Sequence, residues 1–138
     1  MKRRVVIDTN VYVSRFLRES STPGRALEFA LRNEVVLLSR ATFEELRATL
    51  SKPKLARYLD PNEFGPFLRE LIESSEIVEP YTVIRACRHP KDDKFLELAI
   101  DGRADLILTG DNDLLALHPF RGISILSPMQ YLGQFSHR

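Results

Sequence analysis

Arg4-Val5-Val6-Ile7-Asp8-Thr9-Asn10 is the stretch whose reading decides the fold. Val5, Val6 and Ile7 are a run of β-branched side chains with no polar alternation, the pattern of a strand buried on both faces of a parallel sheet. Asp8 stands at its carboxyl end. Val35-Val36-Leu37-Leu38 and Asp105-Leu106-Ile107-Leu108-Thr109 have the same character. Gly122 to Leu126 reads as a fourth strand and Glu76-Ile77-Val78 as a shorter one.

The intervening segments read as helices. Val11 to Leu17 is one, and Thr22 is placed to cap a second that has Pro23 at its first position and runs to about Arg32. Ser39 caps a third, which reaches Ser51 before Lys52-Pro53 breaks it. Asp60-Pro61-Asn62-Glu63 has the form of a capping box, opening a helix that carries Phe67, Leu68, Leu71 and Ile72. A loop from Cys87 to Lys91 leads into a helix through about Asp101, and Ser127-Pro128 opens a terminal helix. Strands alternating with helices imply βαβ units. The expected fold class is therefore α/β: a three-layer α/β/α sandwich with a central, mainly parallel sheet of four to five strands.

Composition narrows the class further. The 138 residues suit a single domain over 1–138, and the 43% hydrophobic content excludes a disordered chain. One cysteine, Cys87, excludes a disulfide scaffold. No apolar run approaches the roughly 18 residues of a membrane span, and Met1 opens onto charge rather than a signal sequence. The expectation is a cytoplasmic protein with no membrane partner. The net charge of +1 conceals an asymmetry: residues 1–57 carry 12 basic and 6 acidic side chains, residues 58–138 carry 8 and 13. That division permits a positive face beside a negative one, although folding can also interleave the two halves.

The acids stand where ligands collect. Asp8 ends one strand, and Asp111 and Asp113 follow the strand ending at Thr109. In open α/β sheets the ligand crevice lies beyond the carboxyl ends of the strands. On the helix after Ser39, Phe43, Leu46 and Leu50 make the core stripe, and Glu44 has Arg40 and Arg47 as helical neighbours. Glu45 has no basic neighbour at helical spacing. In the helix after Lys91, Asp92 shares a face with Phe95, Leu96 and Ala99, whereas Asp93 lies toward Glu97; periodicity favours Asp92 as the inward-pointing member, and either could cap the helix.

Carboxylates gathered within a few ångströms repel one another unless a positive charge lies among them. With no Cys or His cluster, the natural counter-ion is a hard divalent cation, Mg²⁺ or Mn²⁺. His89, His118 and His137 lack metal-ligand spacing and read as loop or surface residues. No nucleophile elbow, phosphate loop or dinucleotide fingerprint is present. A phosphatase with Asp8 as nucleophile is disfavoured, because the place of its second acid is taken by Asn10.

Four blocks in order resemble the motifs of the PIN-domain family, and of its toxin components in toxin–antitoxin pairs. They are Val6-Ile7-Asp8-Thr9-Asn10, Phe43-Glu44-Glu45-Leu46, Asp92-Asp93-Lys94-Phe95-Leu96-Glu97-Leu98-Ala99 and Leu108-Thr109-Gly110-Asp111-Asn112-Asp113-Leu114-Leu115. The resemblance implies a metal-dependent ribonuclease whose acids match Asp8, Glu45, the Asp92-Asp93 pair and Asp111. It implies metal ligation by Asp8, by the 92–93 and 111–113 acids, and orientation by Asn10 and Thr109. Which member of each acidic pair is a ligand stays open. It also implies an RNA substrate, a protein antitoxin and a homodimer. Phosphate contacts are expected from Arg15 and Arg18 on the helix after Asp8, and from Arg40, Arg47, Lys52, Lys54 and Arg57 beyond the second strand; 15 of the 20 basic residues are Arg, whose fork suits phosphate. The rival readings are a DNA or RNA-processing nuclease with the same acids and a non-catalytic RNA- or partner-binding module.

Overall fold

The computed structural model describes residues 2–136, so His137 lies outside the described residues. The chain runs β1 (Arg4–Ile7), α1 (Thr9–Leu17), α2 (Thr22–Asn33), β2 (Val35–Leu38), α3 (Arg40–Leu50), α4 (Pro61–Ser74), β3 (Glu76–Ile77), α5 (Asp93–Asp101), β4 (Leu106–Leu108), α6 (Asn112–Leu115), β5 (Ser124–Leu126) and α7 (Pro128–Phe135). Short 3₁₀ turns lie at Pro53–Leu55 and Pro90–Asp92. The five strands form one sheet in the order β3-β2-β1-β4-β5, and every pairing is parallel. The expected α/β sandwich is the fold observed.

Alternation along the strands divides the core into two layers. Val5, Ile7, Val36, Leu38, Leu106 and Leu108 face one side, where they pack with Tyr12, Leu27, Ala30, Leu46, Leu50, Leu71 and Tyr131. Val6, Leu37, Ile107 and Ile125 face the other, against Phe95, Leu96, Leu98 and Ala99 of α5. Both faces of β1 and β4 are thus buried, which is why their sequences show no polar alternation.

Several boundaries move when local hydrogen bonds are seen. α1 begins at Thr9 rather than Val11, because the Asp8 carboxylate itself caps it through the Asn10 amide. α2 is capped by Ser21, not Thr22: the Ser21 hydroxyl accepts from the Gly24 amide, and Thr22 is already the first helical residue. Ser39 does cap α3, in a reciprocal box with Thr42, and Ser127 caps α7 with Gln130 in the same way.

The irregular segment between β3 and α5 is held by three acids of α5. Asp101 Oδ2 accepts from the Tyr81 and Thr82 amides at 2.8 Å, and its Oδ1 accepts from the Thr82 hydroxyl at 2.7 Å. Glu97 Oε2 accepts from the Ile84 amide at 3.1 Å. Asp93 Oδ1 accepts from the Ala86 and Cys87 amides at 3.1 and 2.8 Å. Acids spaced by four residues stack on one helix face, so they meet successive amides of a segment running antiparallel to the helix. Backbone with no strand partner finds its acceptors there.

Burial works against the charged form of Asp101, but hydrogen bonds from Thr82 and Tyr81 outweigh it and hold the carboxyl below its ordinary range. A carboxyl depressed in the folded state contributes stability that is complete above its unfolded pKa of about 3.9 and is lost as pH falls through the folded value. Asp101→Ala should therefore destabilise the protein at pH 7, by about 0.5–1.5 kcal/mol because water can replace the lost acceptor at the exposed Tyr81 amide. The difference from the parent should shrink as pH falls below about 4, which urea denaturation followed across that range will measure.

Candidate active site

β1 has β2 and β3 on one side and β4 and β5 on the other, so the chain leaves β1 in one direction and returns from β3 to pair β4 on its opposite edge. Such a switch point opens a crevice at the carboxyl edge of the sheet, between the ends of β1 and β4. Asp8 leaves β1 there and Asp111 follows β4. Both cap short helices, Asp8 through the Asn10 amide and Asp111 through the Asp113 amide, which ties each carboxylate to the crevice mouth. Thr109, fully buried, links the two: its hydroxyl donates to Asp8 Oδ2 at 2.7 Å and accepts from the Asp111 amide at 3.0 Å.

A cavity of about 350 Å³ at this point is lined by Asp8, Glu45, Asp92 and Asp111, together with Asn10, His89 and the lysines Lys52 and Lys91. Elements distant in sequence therefore bring four of the expected acids to one wall. Among the described residues, the side chains of Asp8, Asp92 and Asp111 form no ion pair. Glu45 is different. Its Oε1 meets Lys94 Nζ at 2.5 Å and its Oε2 accepts from the Thr9 hydroxyl at 2.5 Å. The partner missing at helical spacing on α3 comes from α5.

The paired acids divide between two tasks. Asp92, in the 3₁₀ turn, lines the cavity, and its side chain makes no cap bond to α5. Asp93 is the more buried residue and belongs to the acid ladder that holds the Ala86 and Cys87 amides. Its expected place beside Asp92 in the site is not where the structure puts it. Helical periodicity misassigned their burial because the α-helix begins only at Asp93, one residue after Asp92. Asp113 sits outside the cavity lining, with Oδ2 at 3.6 Å from His89 Nε2.

The expected arginines do not line this cavity among the described residues. Arg15 is held by Glu28 at 2.6 Å and lies over the rings of Phe16 and Phe67. Arg47 pairs with Glu44 along α3. Arg40 is exposed at the start of α3, and Arg18 lies exposed just after α1. Of the expected cations it is Lys52 that lines the wall, joined by Lys91. Lys91, in the loop before the double acid, carried no periodic signal for this role.

The charge balance follows from these contacts. Burial raises the Asp8 carboxyl above its ordinary range; hydrogen bonds from Thr109 and Asn10 oppose that, and the charges of Asp92 and Glu45 add to it. Asp92 is raised by burial and by Asp111 and Glu45, against the pull of Lys91 and Lys94. Burial also acts on Glu45, yet hydrogen bonds from Lys94 and Thr9 bring it below its ordinary range. The Cys87 thiol is pushed up to about 12 by burial and by Asp93, which removes it as a thiolate nucleophile. His118 is structural, its Nδ1 accepting from the Ile125 amide.

Among the described residues no three His, Cys, Asp or Glu side chains close into a metal-holding cluster. The acids instead line a common cavity in which Asp8, Asp92 and Asp111 have no ion-pair partner among the described residues. Carboxylate oxygens with no cationic partner, and no sulfur among the lining side chains, suit a hard cation.

The fold and site together are a parallel α/β sheet with an acidic cleft at its switch point. The family model described as PIN domain matches residues 4–113. The chain belongs to the PIN-domain family, whose members are generally nucleases. It is 34% identical over 119 residues to the uncharacterized protein MJ1680 of Methanocaldococcus jannaschii, a match covering 85% of this chain and 76% of that one. In fold it is similar to VapBC2 from Rickettsia felis, solved bound to a DNA fragment from their promoter, with a TM-score of 0.60 at 15% identity over 90% of this chain and 98% of that one. PAE2754 from Pyrobaculum aerophilum gives a TM-score of 0.59 at 15% identity, covering 99% and 91%.

Thr109→Val keeps the shape of the side chain but leaves the Asp111 amide and Asp8 Oδ2 without their shared partner. The expected cost is about 1–3 kcal/mol of stability in urea denaturation. Thr109→Ser, which keeps the hydroxyl, should recover most of it.

Proposed function

We propose that the protein is an endoribonuclease dependent on Mg²⁺ or Mn²⁺, acting in the cytoplasm as the toxin of a toxin–antitoxin pair. One observation carries the reading: Asp8, Asp92 and Asp111, without a cationic partner, line the same cavity at the sheet's switch point. These three are the residues that would hold the ion, with Asp93 committed to its amides and Asp113 standing beside His89. The bound cation would supply positive charge against a phosphodiester and acidify water.

The chain's own groups supply the rest. Thr109 and the Asn10 amide hold the Asp8 carboxylate in place, so the strongest donor is preset rather than mobile. Glu45 is kept ionised by Lys94 and lines the same cavity, where it would help orient water. Lys52 and Lys91, which line it too, attract the phosphate backbone that the acids alone would repel. Hydrolysis adds water to phosphorus and breaks the bond to the 3′ oxygen, leaving 3′-hydroxyl and 5′-phosphate ends. The likeness in fold to VapBC2 supports a protein antitoxin as partner, and family resemblance supports a homodimer.

Purified protein should cut single-stranded RNA with Mn²⁺ and lose the activity in a chelator. Loss of a group that merely orients a metal ligand costs roughly 10–100-fold, so Asp8→Asn should cost at least about a hundredfold. Equal cleavage by parent and variant would overturn the assignment, and cutting of DNA alone would replace RNA as substrate. Sedimentation at micromolar concentration should give a dimer; a monomer removes that part of the reading.

A further inference from the structure

Glu45 differs from the three other acids of the cavity in having an ion-pair partner among the described residues. Both oxygens of Glu45 are engaged: Oε1 by the Lys94 ammonium at 2.5 Å, Oε2 by the Thr9 hydroxyl at 2.5 Å. The two side chains of the ion pair are only 20% and 24% exposed, so solvent screens their attraction less than at an open surface. Lys94 is also preset. The preceding residue, Asp93, is anchored to the Ala86 and Cys87 amides, which fixes the first turn of α5, and the ammonium lies 5.7 Å from the Phe95 ring centre.

We propose that Lys94 is the built-in counter-cation of Glu45, so that the cleft takes one divalent ion per chain, held by Asp8, Asp92 and Asp111. This rests on the cation reading given above. A pair of ions about 3.5–4 Å apart needs carboxylate oxygens available on both sides of the pair. Glu45 is the fourth acid of the same cavity, and it can ligate a cation only by giving up the ammonium of Lys94, itself only 20% exposed. A second divalent ion would stand against that ammonium as well as against the first ion. Lys94 thus positions Glu45 and neutralises it, a role that a second metal would otherwise fill. The other charges facing the pair are Lys91, of like sign to Lys94, and Asp92 and Asp8, two of the carboxylates that would themselves hold the ion.

Titration with Mn²⁺, followed by the electron paramagnetic resonance of the free ion, counts sites without turnover. The parent protein should bind one ion per chain. Lys94→Met keeps the aliphatic stem without the charge and should bind two; Lys94→Gln, measured beside it, should show the same gain in case the first variant folds poorly. Glu45→Gln in the Lys94→Met background should return the count to one, and Lys94→Arg should keep it at one. Two ions in the parent, or one in both neutral variants, overturns the role of Lys94. No ion bound by any of these proteins overturns the cation reading itself, and this inference with it.

Discussion

β1 has a parallel neighbour on each side, and the crossovers that supply those neighbours run in opposite directions along the sheet. A parallel strand so placed cannot have both following helices over its own carboxyl end, and a gap remains between the ends of β1 and β4. The chain must nevertheless turn into a helix immediately after each of these strands. Asp8 and Asp111 are the capping residues at those turns, so a requirement of secondary structure delivers two carboxylates to the gap. Thr109 then couples them through one buried hydroxyl.

The other two acids of the cleft come from layers on opposite faces of the sheet. Glu45 is carried by α3, which packs on the layer of Val5 and Ile7. Asp92 precedes α5, which alone among the long helices covers the layer of Val6 and Ile107. The cleft is therefore a junction of the two layers, and Lys94 bonding to Glu45 is a contact between them across the sheet's edge. Packing in either core sets the spacing of the acids, and a change in α5 far from the cleft would be felt there.

α5 has two faces with separate tasks. Its acids at 93, 97 and 101 serve as acceptors for a segment that has no strand to pair with. The 3₁₀ turn that precedes α5 presents Asp92 to the cleft, and Lys94 in the helix's first turn reaches Glu45 there. The ladder was legible as a spacing of four, yet a spacing of acids does not state what they face. Nothing near them in sequence is complementary, because the amides they meet lie on backbone and belong to every sequence alike. The position of Lys94 against Glu45 was similarly hidden: the two are 49 residues apart, and only the stacking of α3 against α5 brings them together.

What the sequence determined by itself is the architecture and the address of the cleft. Unalternating apolar runs demand burial on both faces, helices between them demand parallel pairing, and an acid at the end of such a run stands at the sheet's carboxyl edge. Those are local consequences of hydrophobic period and capping chemistry. Which acid of the 92–93 pair faces the cleft, which cations stand on its wall, and that the arginines of α1 and α3 lie elsewhere were decided by tertiary structure. A one-residue shift in where a helix begins rotates a side chain by about 100°. Charges find partners by distance in space, which periodicity along a single helix does not encode.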